Sequence, residues 1–253
     1  MVEDRLTFAI PDKMLFIQAN QGKRPSIKEL KTMKTVNIAI DGPAGAGKST
    51  IAKMVSKQLG YIYVDTGALY RTIALYITEN KIPDKDIEKS LGKAEVSLKF
   101  IDGAQRVFLG KRDVSDLIRT PEISMAASRT SAIPAVRAYL FDTQQKIARE
   151  NNVIMDGRDI GTVVLPNADV KIFLTASAEE RANRRYKELL EKPDCPTYQE
   201  ILDDIIKRDY QDMHRETAPL KQAEDAVLVD TTKLNLEESA EAIVKIISEK
   251  IEK

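Results

Sequence analysis

The chain has 253 residues, 43% of them apolar and 31% charged, enough for one large core or a domain with inserts. Its 39 basic and 39 acidic residues cancel, and no polybasic tract offers a sequence-independent grip on nucleic acid. A single cysteine, Cys195, excludes an intrachain disulfide, and with the single histidine, His214, it excludes a Cys/His zinc site or a Ser-His or Cys-His nucleophile built from this chain alone.

In chain order, residues 1–33 are polar around "QANQGKRPS", and "MLFI" at 14–17, behind Glu3 and Asp4, is too short for a secretory signal. We expect this stretch to precede the true start, Met33; the alternative is a genuine appendage. From Val36 the pattern turns regular. "VNIAI" reads as a buried strand ending in Asp-Gly-Pro. "KSTIAKMVSKQLG" sets Ile51, Met54, Val55 and Leu59 on one helical face and stops at Gly60. "YIYVD" is a second strand and "ALYRTIALYITEN" a second helix. Two β-type runs around Asp102-Gly103 predict a hairpin over 96–110, an insert in an otherwise alternating chain.

Helical segments follow, "PAVRAYLFDTQQKIAREN" being the longest, and then the strands "NVIMD" and "DVKIFLT". "SAEERANRRYKELLEK" and "TYQEILDDIIKRDYQDMHR" read as helices separated by "PDCP". "AVLVDTT" is the last strand. A closing helix carries Ile243, Ile246, Ile247 and Ile251 on one face, for docking on the sheet rather than forming a coiled-coil seam. The alternation predicts a five-stranded parallel sheet with helices on both faces, an α/β three-layer fold. No apolar run approaches a membrane span, so the expected address is cytoplasmic.

Residues 42–49, Gly42-Pro43-Ala44-Gly45-Ala46-Gly47-Lys48-Ser49, fit G-x-x-x-x-G-K-[ST] at every fixed position. Glycines let the backbone N–H groups turn inward onto phosphate oxygens at the positive end of the following helix. Lys48 would reach the β- and γ-phosphates, Ser49 would ligate magnesium, and Thr50 closes the expected ATP-binding run. A GTPase switch would add Asp-x-x-Gly and Asn-Lys-x-Asp. No glycine has Asp three positions before it, and the only Asn-Lys, Asn80-Lys81, is followed by Pro83.

For a small kinase, transfer to a hydroxyl benefits from a carboxylate base, whereas a nucleoside monophosphate needs positive charge that lets two phosphates approach. Eleven of the 15 arginines lie between Arg112 and Arg215. Arg71, Arg158, Arg181, Arg184, Arg185, Arg208 and Arg215 occupy suggestive places. Arg158 is the most informative, beyond "VIMD" at a strand's carboxyl end, where α/β ligands bind. Arg181, Arg184 and Arg185, spaced i, i+3, i+4, can share a helix face that closes over a triphosphate, or can pair with Glu179, Glu180 and Glu188.

These segments together resemble the bacterial cytidylate kinase family. The matching stretches are "IAIDGPAGAGKST", "DTGALYR", "MAASRTSAIPAVR", "DGRDIGTVV" with "ADVKIFLTAS" and the following Glu179-Glu180-Arg181-Ala182 and Arg184-Arg185, then Arg208-Asp209, Asp212, Arg215 and Pro219-Leu220 at the family's spacing, and "LVDTT", in order from about Lys34 to the C-terminus. The resemblance implies a P-loop NTPase fold with a hairpin-containing nucleoside-monophosphate region at about 65–150 and a helical lid at about 177–196. It implies transfer of the ATP γ-phosphoryl to CMP or dCMP with Mg2+. Lys48, Arg158 and the lid arginines Arg181, Arg184 and Arg185 would act on the transferring group. Thr66 and Arg71 would flank CMP, with Arg71, Arg158 and Arg215 on its phosphate. Ser128, Arg137 and Asp159 would read cytosine, and Arg208 and Asp212 would hold the ribose.

Asp156 could orient water on magnesium or be a plain turn carboxylate. Thr66 stands where serine also occurs in the family, and Ser49 where some members have glycine. Cys195 receives no chemistry, and His214 reads as a surface or packing residue. The expected partners are small molecules, with no nucleic acid and no membrane, and the working unit a monomer. Two rivals stay open: a kinase for another small acceptor, such as UMP or a hydroxyl metabolite, and a nucleotide-dependent binding module without transfer.

Overall fold

The computed structural model describes residues 35–101, 103–191 and 195–251. The expectations about residues 1–33 and Met33, about Asp102 at the hairpin turn, and about Pro193 and Asp194 of "PDCP" lie outside the described residues. Strands β1 (Asn37–Asp41), β2 (Ile62–Asp65), β6 (Val153–Gly157), β7 (Val170–Thr175) and β8 (Val227–Asp230) form one parallel sheet in the order β2-β6-β1-β7-β8. A separate antiparallel sheet holds β3 (Val96–Ile101), β4 (Ala104–Leu109) and the short β5 (Arg112–Asp113), so the expected hairpin gains a third strand.

Parallel strands covered on both faces must be apolar on both faces. In β1, Ile38 and Ile40 point to one side and Ala39 to the other; in β6, Ile154 opposes Val153 and Met155. The first side packs under helix α1 (Lys48–Leu59) and the C-terminal helix, α7 (Leu236–Ile251). The second packs under α2 (Thr66–Glu79), α3 (Pro121–Thr130), α4 (Pro134–Glu150) and the insert sheet. Helices α5 (Ala178–Leu189) and α6 (Tyr198–His214) pack on each other. Ile154 is completely buried, and truncating it to alanine would cost about 2–5 kcal/mol. On α7, Ile243 and Ile247 are buried as expected, whereas Ile251 is exposed.

Strand register then builds an edge. Asp65 lies opposite Asp156, and Asp41 opposite Gly157, so three neighbouring strands deliver carboxylates to the same end of the sheet. That is the carboxyl end, from which the loops of an open α/β fold reach a ligand.

Candidate active site

The loop between β1 and α1 sets the site's floor. Gly42 has φ +150°, and a Cβ there would sit 1.9 Å from the Leu174 carbonyl oxygen, so the chain can leave β1 only through glycine. Gly47, at φ 86°, caps α1 and delivers Lys48 into the interior. Lys48 Nζ donates to the Pro43 carbonyl across the loop at 2.7 Å. Burial, reinforced by the Arg158 charge, holds its ammonium well below the usual lysine range. Ser49 Oγ donates to Asp156 Oδ2 at 2.7 Å and the Tyr63 hydroxyl to Asp156 Oδ1 at 3.1 Å. Burial, with the nearby Asp65 charge, raises the Asp156 pKa.

A cavity of about 360 Å³ opens in front of this loop, lined by residues 44–50 and by side chains from β2, α2, α3, α4, β6 and α6. Seven cationic side chains and five carboxylates line it. Thr66, Arg71, Ser128, Arg137, Asp156, Arg158, Asp159, Arg208, Asp212 and Arg215, up to 149 residues apart in the chain, all meet there. Gly42 and Pro43 of the loop are not among its lining residues.

The charges are held in pairs. Arg137 donates to Asp159 Oδ2 with its guanidinium over the Tyr70 ring, and Arg215 lies 3.5 Å from Asp159 Oδ1. Burial raises the Asp159 pKa against the pull of both arginines. Arg158 Nε donates to Asp212 Oδ2 at 2.8 Å. Asp65 caps α2 through the Ala68 N–H and holds Arg71 at 3.1 Å. The Thr66 hydroxyl is engaged by the Asp156 carbonyl at 2.7 Å.

These pairs do not satisfy every donor. Arg71 Nε, Arg208 Nε and Arg215 Nη2 are buried without a hydrogen-bond partner. Burial lowers the pKa of Arg208, with Arg158 adding to the effect, and burial lowers that of Arg215 as well. Desolvated cations of this kind are costly until an anion reaches them.

The α5 arginines go to separate sets of partners and do not line the cavity. Arg181 is buried, donating to the Ala176 carbonyl, to the Ala44 carbonyl at 2.9 Å and to Asp209 at 2.6 Å. Arg184 bonds the Thr231 carbonyl and Glu180; the half-exposed Arg185 pairs with Glu188. His214 is exposed, stacks on Tyr210 and does not line the cavity.

Sequence reasoning did not single out Asp41, Asp65, Tyr63 or Arg119. Arg119, just after the insert sheet, lines the cavity and shares Asp65 with Arg71, at 3.4 Å. Gln105 of β4 ties the insert down: its amide accepts from the Asp65 N–H and donates to the Asp65 carbonyl. A signal was present for two of them, since "NIAID" and "IYVD" end in aspartate as "VIMD" does.

A glycine-framed phosphate loop at the carboxyl edge of a parallel sheet, facing an arginine-lined cavity, defines a P-loop nucleotide-binding protein of the phosphotransferase type. A solved structure of an uncharacterised protein from Eubacterium ventriosum shares the fold, with a TM-score of 0.51 at 14% identity, covering 85% of this chain and 99% of that one. The family profile described as cytidylate kinase matches residues 38–249. The cytidylate kinase of Caldicellulosiruptor bescii is 52% identical over 217 residues, covering 85% of this chain and 96% of that protein. That of Carboxydothermus hydrogenoformans is 50% identical over 218 residues, covering 85% and 98%. The chain belongs to the cytidylate kinase family.

Proposed function

We propose that the chain is a (d)CMP kinase, transferring the γ-phosphoryl group of ATP to CMP or dCMP and yielding ADP with CDP or dCDP. The observation that carries this reading is the set of buried guanidinium nitrogens without a hydrogen bond, on Arg71, Arg208 and Arg215, in the cavity that the phosphate loop also lines. An acceptor nucleotide would satisfy them, its phosphate at Arg71 and Arg215 and its ribose at Arg208, with the phosphate near the end of a triphosphate cradled by Gly42, Pro43, Ala44, Gly45, Ala46, Gly47, Lys48, Ser49 and Thr50.

A phosphate oxygen of CMP attacks the γ-phosphorus. The new P–O bond forms as the bond to the β–γ bridging oxygen breaks, and the electrons leave on ADP. Arg71, Arg158 and Arg215 neutralise the acceptor, releasing Asp65 and Asp212 from their present pairs. Arg208 and the freed Asp212 hold the ribose. Lys48 meets the donor phosphates, whose charge raises its pKa and favours the ammonium form. Arg181 and Arg184, already beside the loop, and Arg185 spread over the transferring group as α5 closes. Catalysis is positioning and electrostatics, with no covalent enzyme intermediate.

Asp159 accepts from the cytosine amine while Arg137 and Ser128 donate to the ring's acceptors. Uracil reverses the first of these contacts and leaves buried groups unpaired, a discrimination that can reach about 10⁴-fold. The hydroxyl of Ser49 and the carboxylate of Asp156 are hard oxygen donors 2.7 Å apart, a set that suits Mg2+. Ser49 would hold the ion directly and Asp156 through water; bound with ATP it supplies charge neutralisation at the phosphates.

The 65–150 region then serves as the acceptor-binding part, and α5 with its flanks, 177–196, as the lid. The working unit we propose is a monomer. Among the described residues no helix is long and apolar enough to cross a membrane, in keeping with the cytoplasmic address we propose. The test is ADP release from Mg-ATP with CMP, dCMP, UMP, AMP, GMP or shikimate, against a control without acceptor. Strong stimulation by CMP and dCMP and weak stimulation by UMP is expected. Equal use of UMP would discard the cytosine pocket, and ADP release independent of any acceptor would favour a binding module.

A further inference from the structure

The residue that joins the phosphate loop to the Arg158–Asp159 segment is Asp41, the last residue of β1. Its side chain is buried, and each carboxylate oxygen takes one backbone donor from across the sheet edge: Ile160 N–H on Oδ1 at 2.8 Å and Gly161 N–H on Oδ2 at 2.7 Å. Those two donors begin the wide helical turn at 160–164, in which the Leu165 N–H returns to the Ile160 carbonyl. Such wide turns recur at functional sites. Arg158 and Asp159 immediately precede this turn, whereas Gly42, next to Asp41, starts the phosphate loop.

We propose that Asp41 is a positioning residue that clamps the acceptor-binding segment to the donor loop, setting where Arg158 and Asp159 stand relative to the phosphates. The inference rests on the (d)CMP kinase reading. Its chemistry is specific to a carboxylate, because only two acceptor oxygens on one short side chain can take consecutive N–H groups; an amide offers one acceptor and turns a donor on the other. Burial pushes the Asp41 carboxyl up to about 6, while the two N–H bonds and the Lys48 ammonium pull it back, so it is ionised at neutral pH. Asp41 needs no contact with either nucleotide to act this way.

The experiment measures CMP and ATP affinities separately by calorimetry on the wild-type protein, Asp41→Asn and Gly161→Ala, with CMP-over-UMP selectivity read from kcat/KM. In Asp41→Asn one buried N–H faces a donor, and the dissociation constant for CMP should rise about ten- to hundredfold. Selectivity for CMP should fall with it. ATP affinity should stay within about threefold or tighten, because a negative charge has been removed beside the loop. In Gly161→Ala the new Cβ would lie 3.4 Å from Asp41 Oδ2 and 3.1 Å from the Lys171 stem. Its tight contact is with the Lys171 stem, so the turn must shift against Asp41 with the carboxylate intact; this should move CMP in the same direction, and serves if Asp41→Asn does not fold. Unchanged CMP affinity and selectivity, or equal losses for ATP and CMP, would overturn the clamp. A wild-type protein that binds no CMP would overturn the kinase reading itself.

Discussion

If Asp159 reads the base as proposed, replacing it with asparagine separates base recognition from phosphate recognition. In the native site the carboxylate is 4% exposed, accepts from Arg137 on Oδ2 and lies 3.5 Å from Arg215 on Oδ1. An amide keeps the shape and one acceptor but loses the charge, so it can hold one of the two guanidinium groups and not both. A hydrogen bond to a charged group contributes about 1.5–3 kcal/mol, equivalent to about ten- to hundredfold in kcat/KM for CMP. UMP behaves differently, because the new NH₂ can donate to the uracil O4 that the carboxylate repels. The expected result in a coupled ADP-release assay is a large loss with CMP, little or no loss with UMP, and an unaltered KM for ATP. Equal losses with CMP and UMP would refute the assignment of Asp159 to the base and leave it as a structural partner of two arginines.

Other perturbations test the supports of the site. Gly42→Ala drives a Cβ to 1.9 Å from the Leu174 carbonyl at φ +150°, and should cost at least about 3 kcal/mol in urea unfolding. Gly92→Ala, with nothing within 4 Å, should stay within about 0.5 kcal/mol of wild type. Tyr63→Phe removes the hydroxyl that donates to Asp156 Oδ1, and should raise the Mg2+ concentration for half-maximal activity severalfold; an unchanged Mg2+ titration would dismiss that support. Burial raises the Asp41 pKa from 3.8 to about 6, so the folded state holds this proton more tightly than the unfolded one. That stabilisation is complete below pH 3.8 and is lost as pH rises through 6, by up to about 3 kcal/mol. Urea unfolding should therefore show the gap between wild type and Asp41→Asn shifting toward the variant from pH 4 to pH 7; a constant gap would contradict the shift.

The layers and the phosphate loop were legible in the sequence because they are written locally. Apolar runs such as "VNIAI", the 3.6-residue period of α1 and the stop at Gly60 each follow from neighbouring residues. The carboxylate clamps at Asp41 and Asp65 were not legible. Asp41 meets Ile160 and Gly161 across more than a hundred residues, and Asp65 collects Arg71 from its own helix and Arg119 from beyond the insert. Such contacts are fixed by strand register, which periodicity does not specify. The α5 arginines show the same limit. Their spacing gives one helix side, but whether a guanidinium faces a nucleotide, a loop carbonyl or Glu188 depends on how α5 packs on α6 and on the phosphate loop. The exposed Ile251 follows the apolar period of α7 to its end, where the last turn no longer lies under buried neighbours.

The most direct measurement follows the phosphoryl group itself. The protein is incubated with γ-labelled ATP, Mg2+ and CMP, and the products are separated. The account predicts label in CDP, in a one-to-one ratio with ADP, and none when CMP is omitted. Label appearing only as inorganic phosphate, with CMP unchanged, would contradict it.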